Sequence, residues 1–247
     1  MLYWLTEFSD GGDIFNLFRY ITFRAGGAFF TALIFGFLFG WPLINLLKRR
    51  QKSGQPIRVD GPEGHVETKS GTPTMGGVLI LGAITVATLL WARLDNGVVL
   101  MGLGVTLSFG LIGFVDDFQK IRKNDNYSGL SGKLRLLLEG VIALGAAWFV
   151  AQFHPAELTN QLALPVFKNT LINLGWFFLP FAGFVIVGAA NAVNLTDGLD
   201  GLAIMPVMIA AGTLGIIAYA VGRVDFTEYL EVHYVPGTGE LLIFAAG

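Results

Sequence analysis

Six nearly unbroken apolar runs constrain this chain more than any other feature. They cover residues 25–47, 74–91, 97–115, 134–153, 171–190 and 202–221. A helix of about 20 such residues crosses a hydrocarbon core of about 30 Å, and in that core only helices or closed barrels satisfy their own backbone polar groups. The expected fold is therefore an all-α polytopic integral membrane protein with six complete transmembrane helices. A seventh apolar segment starts at Glu240 and is cut short at Gly247, so the sequence is expected to be the N-terminal part of a longer protein. Composition agrees with the bilayer. With 53% hydrophobic and 14% charged residues among 247 and a mean hydropathy of +0.63, too few polar groups remain to coat a soluble domain. The 33 glycines suit the close backbone approach of helices in lipid. No repeat or linker divides the chain, so residues 1–247 are expected to form a single membrane domain.

Orientation follows from the basic residues. The loop after the first run holds Lys48, Arg49, Arg50, Lys52, Arg58 and Lys69, and the loop after the third holds Lys120, Arg122, Lys123, Lys133 and Arg135, together 11 of the 16 Lys and Arg. Cytoplasmic loops carry the excess of positive charge. Both rich loops are therefore expected in the cytoplasm and the N-terminus outside; parity adds the turn 191–201 to the cytoplasmic side and makes 153–170 and 222–239 outer loops. Glu7, Asp10 and Asp13 precede any basic residue, which is unlike a cleaved signal. A net charge of −2 and a pI near 5.9 argue against nucleic acid as a partner. The absence of cysteine removes disulfides, thiol nucleophiles and Cys-based zinc sites.

Three polar clusters interrupt the apolar sequence, and the topology puts all three on the cytoplasmic face. The first, residues 69–77, offers Lys69, Thr72, Thr74 and free backbone N–H groups around Pro73 at a helix entrance, an arrangement that suits an anion and also a plain helix cap. The second is Asp116-Asp117 at the end of the third run. Adjacent helical residues point about 100° apart, so the two carboxylates are expected to divide labour, one binding a divalent cation and the other handling a proton; an ordinary acidic helix end is the alternative. In the third, Asn191, Asn194, Asp197 and Asp200 recur every third residue and fall on roughly one side of a helix or turn, with Gly198 and Gly201 allowing close approach of a ligand. A calcium loop is disfavoured because the alternating oxygens and closing Glu of an EF-hand are missing. Arg135 and Glu139 stand at i and i+4, expected as an ion pair. Gly132-Lys133 lacks the Ser or Thr of a P-loop. His154 and His233 are expected in solvent, and His65 in a cytoplasmic loop.

At these clusters the chain resembles the polyprenyl-phosphate N-acetylhexosamine 1-phosphate transferases, and within them the branch whose donor is UDP-MurNAc-pentapeptide. The resemblance rests on Asp60-Gly61-Pro62-Glu63, on Gly71 through Gly77, on Gly113-Phe114-Val115-Asp116-Asp117 and on Asn191 through Pro206, and it covers essentially all 247 residues. It implies a fold of about ten helices and transfer of phospho-MurNAc-pentapeptide to undecaprenyl phosphate, giving lipid I and UMP, with Mg2+, at the cytoplasmic face of a bacterial inner membrane. It implies catalytic roles for Asp116 and Asp117, nucleotide-sugar contacts from Lys69, Thr74, Asn194, Asp197 and Asp200, and Asp117 as a metal ligand whose principal partner lies beyond residue 247. A homodimer is the assembly considered. Two other readings stay open: a relative that transfers GlcNAc 1-phosphate, and a transporter of anionic lipid or nucleotide. A transporter would place ionisable groups near the midplane, whereas these sit at span ends.

Overall fold

The computed structural model describes residues 1–51, 73–123, 128–153, 155–164, 167, 170–196 and 201–247. Two short 3-10 turns, Leu2–Phe8 and Ile14–Arg19, lead into α1 (Ile21–Arg50), followed by α2 (Gly77–Trp91), α3 (Gly97–Lys123) and α4 (Gly132–Phe153). Strands β1 (Gln161–Ala163) and β2 (Leu171–Asn173) come next, then α5 (Phe178–Thr196), α6 (Ile204–Val221), α7 (Val224–Leu230) and α8 (Leu241–Ala246). The expected all-α membrane architecture is present. Five helical stretches are long and apolar enough to cross a bilayer: α1, α3, α4, α6, and α5 together with the 3-10 turn that opens it at Gly175.

The sixth expected span is shorter than the sequence suggests. Helix α2 has 15 residues and at 1.5 Å per residue measures about 22 Å, less than a full hydrocarbon core. Its start is fixed by local geometry: Pro73 precedes, and Met75 adopts a left-handed φ of 72°, so the helix cannot reach back to Thr74. The fifth span also begins late. Residues 171–173 pair antiparallel with 161–163, Leu162 opposite Ile172, and form a hairpin where an apolar run alone reads as helix. At its other end α5 runs on to Thr196, so Asn191 and Asn194 are helical and not part of a loop. Likewise α3 continues eight residues past 115 to Lys123, closing on the basic last turn Lys120, Arg122, Lys123 that complements the helix dipole. The segment 222–239, expected as an outer loop, carries the short helix α7.

Packing is of the membrane kind. Large side chains point outward, among them Phe37 at 78% and Phe184 at 77% exposure, while the innermost cluster is built from Ala25, Ala28, Ala87, Ala92, Val99 and Ile243. Small residues at the seams let helices close. Gly27 shows why: a Cβ there would stand 2.5 Å from the Trp91 ring, which instead lies flat against α1 and donates its Nε1–H to Thr31 Oγ1 at 2.8 Å. Helix α8 lies among α1, α2, α3 and α6.

At one end of the bundle a buried ion pair ties these helices together. Arg24, 1% exposed, donates both terminal nitrogens to Glu240, 2.7 and 2.6 Å, and one of them also to Trp91 O. The Arg93 backbone N–H completes the Glu240 shell at 3.1 Å. The Tyr3 ring contacts both the Arg24 and the Arg93 guanidinium groups, 4.9 and 4.8 Å from its centre. Arg93 in turn pairs with Asp95, and that contact holds the Asp95 carboxyl below its ordinary range. His233, expected in solvent, has its Nε2 buried without a hydrogen-bond partner among the described residues.

Candidate active site

The opposite end of the bundle gathers the described residues of the sequence's polar clusters. Helix α3 brings Asp116 and Asp117 there on different faces, as the 100° step requires. Asp116 is 9% exposed. Its Oδ2 lies 2.6 Å from Lys120 Nζ one turn on, and its Oδ1 accepts the backbone N–H of Leu130 at 2.7 Å, so this carboxylate anchors the segment that leads into α4. Gly129 makes the approach possible, because a Cβ there would collide with the Asp116 carboxylate and the Lys120 stem. Asp117 is half-buried and faces the entrance of α2, where it accepts a hydrogen bond from Thr74 Oγ1 at 3.1 Å.

Thr74 is held from a second side. Gln51, the residue that ends α1, donates its Nε2–H to Thr74 O at 3.2 Å and accepts the Thr74 N–H on Oε1 at 3.0 Å. Three elements thus meet on one residue: α1 through Gln51, α3 through Asp117, and α2 through the chain that follows.

The third cluster reaches the same end through α4. Glu139 is 2% exposed, with Arg135 Nε donating to its Oε1 at 2.8 Å and Asn191 Nδ2 to its Oε2 at 2.6 Å. The ion pair expected between Arg135 and Glu139 is present. Asn191, grouped by its spacing with the ligand-facing residues, is instead engaged in this buried lock. Asn194 is exposed at the end of α5. Lys69, Asp197 and Asp200, with His65, His154 and residues 60–63, lie outside the described residues.

The structure therefore brings Thr74 and Asp117 into contact and places Asp116 within the same turn of α3. Reading by sequence missed Lys120 and Gln51. For Lys120 a signal exists, the i,i+4 spacing from Asp116; for Gln51, behind three cations at a helix end, none does. Among the described residues no three His, Asp or Glu side chains converge as a metal cage. Among the described residues, what remains is one half-buried carboxylate beside a hydroxyl, set close to a carboxylate–ammonium pair, at a polar end of a lipid-embedded bundle. That arrangement suits charged phosphate chemistry at a membrane surface.

Comparison with known proteins bears on which chemistry. The family model described as glycosyl transferase family 4 matches residues 99–244. The model described as phospho-N-acetylmuramoyl-pentapeptide-transferase signature 1 matches residues 69–81. Proteins named phospho-N-acetylmuramoyl-pentapeptide-transferase from Dinoroseobacter shibae and Ruegeria pomeroyi are each 72% identical over 246 residues, covering 100% of this chain and 68% of the relative.

Proposed function

This chain belongs to glycosyl transferase family 4, and from that premise we propose that the protein transfers phospho-MurNAc-pentapeptide from UDP-MurNAc-pentapeptide to undecaprenyl phosphate, forming lipid I and UMP. The observation that carries the reading is the Thr74–Asp117 contact. It joins the stretch that matches the transferase signature to the carboxylate pair, which lies within the family match.

Chemically, the site must bring two phosphates together and control one proton. Asp116 is the proton acceptor in this reading. Lys120, now on Asp116 Oδ2, turns to the arriving lipid phosphate, and the freed carboxylate oxygen takes the phosphate proton. The deprotonated oxygen attacks the β-phosphate of the nucleotide sugar. A P–O bond to the sugar phosphate forms as the bond to the α-phosphate oxygen breaks, and UMP leaves with that electron pair. Lys69, Asn194, Asp197 and Asp200 serve the nucleoside and diphosphate. Asp117 and the Thr74 hydroxyl are hard oxygen donors at a half-buried position, which fits Mg2+, an ion that takes one or two carboxylates and completes its shell with phosphates and water. When bound, it neutralises charge on the phosphates. The site faces the cytoplasm of a bacterial inner membrane, with the N-terminus outside.

UMP release on mixing both substrates with the full-length protein tests the reading. Asp116→Asn is expected to lower the rate by about 10² or more, the usual size of a general-base contribution. Unchanged release would remove Asp116 from the mechanism. A wild-type protein that released UMP from UDP-GlcNAc and not from the muramoyl donor would move it to the GlcNAc 1-phosphate branch.

A further inference from the structure

We infer that Gln51 is a positioning residue of the transfer site, acting through Thr74 on the Asp117 carboxylate; the inference rests on the proposed transfer reaction. Gln51 follows three exposed cations, Lys48, Arg49 and Arg50, yet is itself only 8% exposed. Burying an amide is unfavourable unless its donors and acceptors are met. Here they meet one peptide unit's worth of need: the Thr74 N–H and the Thr74 C=O, at 3.0 and 3.2 Å.

Thr74 requires such a partner. It stands ahead of α2, so its N–H and C=O have no place in the helix ladder, and Pro73 before it offers no N–H. Directly after it, Met75 sits at a φ of 72°, a left-handed conformation that a residue bearing a Cβ adopts at a cost and keeps only when its surroundings hold it there. The Gln51 side chain supplies that hold on one flank, and the turn bonds Val78 N–H to Met75 O and Leu79 N–H to Gly76 O supply it on the other. With the backbone of Thr74 fixed from α1, its hydroxyl is aimed at Asp117 Oδ2 on α3. Gln51 therefore sets the rotational state and hydrogen bonding of a carboxylate that it does not touch.

The test is a double-mutant cycle on the full-length enzyme, reading steady-state UMP release. Gln51→Ala is expected to lower kcat about tenfold, the effect of losing roughly one well-placed hydrogen bond in the transition state, with the KM for the nucleotide sugar within about twofold. In a Thr74→Val background, where the hydroxyl is already gone, the same substitution is expected to lower kcat no further. Gln51→Glu separates size from hydrogen bonding: it keeps the acceptor for Thr74 N–H but sets an oxygen against Thr74 O, so it is expected to lose kcat and some thermal stability, and kcat is read for every variant well below its own thermal midpoint. An unchanged kcat in Gln51→Ala, or a second tenfold loss in the Thr74→Val background, overturns the positioning role alone. A wild-type enzyme that releases no UMP overturns the transfer reaction and this role with it.

Discussion

Glu139 and Asn191 show how one buried carboxylate can decide what a neighbouring motif does. Two interactions hold Glu139 inside the bundle, the Arg135 guanidinium and the Asn191 amide, and Asn191 uses its second amide hydrogen on Val187 O at 2.9 Å within its own helix. Its donors are thus spent on the protein. Removing it would leave a buried acceptor short of a partner, at a cost of about 1–3 kcal/mol. Asn191→Ala is therefore expected to lower the thermal midpoint of the purified protein by several degrees while leaving the KM for the nucleotide sugar unchanged. A raised KM at unchanged stability would return Asn191 to the ligand-facing series that its spacing suggested. The sequence put Asn191, Asn194, Asp197 and Asp200 in one register; only the neighbouring helix α4, invisible to that register, reveals that the first of them points at Glu139.

Among the elements, the short helix α8 and the first turn of α1 depend on each other through Arg24 and Glu240. Both side chains are almost inaccessible, and the bond between them is bidentate, the geometry in which Arg pairs best with a carboxylate. Breaking one half of such a pair strands the other charge in a low-dielectric setting, typically at 3–5 kcal/mol. Arg24→Ala and Glu240→Gln are each expected to destabilise the detergent-solubilised protein by about that much, and the double variant by less than the sum. Strict additivity in thermal unfolding would mean that the two charges do not sense one another. This lock was hidden from the sequence because its partners lie 216 residues apart. The helices themselves were legible, since a span solvated by lipid reads as continuous hydrophobicity whatever its neighbours. Their ends were less so: the β1–β2 hairpin is built from apolar residues such as Leu162, Leu171 and Ile172, which carry the same hydropathy as the helix that follows.

For the whole molecule, side-chain contacts sort the helix ends into two sets without reference to charge. Gln51, Thr74, Asp117, Leu130 and Asn191 meet at one end, through α1, α2, α3, α4 and α5. Arg24, Trp91, Arg93 and Glu240 meet at the other. These sets coincide with the two sides that parity assigns from the Lys- and Arg-rich loops. The packing groups the ends that lie together, and the proposed orientation adds, from the positive-inside bias, which of the two ends faces the cytoplasm. These 247 residues contain no cysteine, so a thiol introduced at one position is unique among them and can test that step. Tyr229, 84% exposed on α7, and Lys123, exposed at the end of α3, stand at opposite ends of the bundle. With a membrane-impermeant maleimide added to intact spheroplasts, Tyr229→Cys is expected to label at once and Lys123→Cys only after lysis. The reverse pattern would put the Asp116–Asp117 end outside, away from any cytoplasmic nucleotide sugar, and would overturn the proposed transfer together with the orientation.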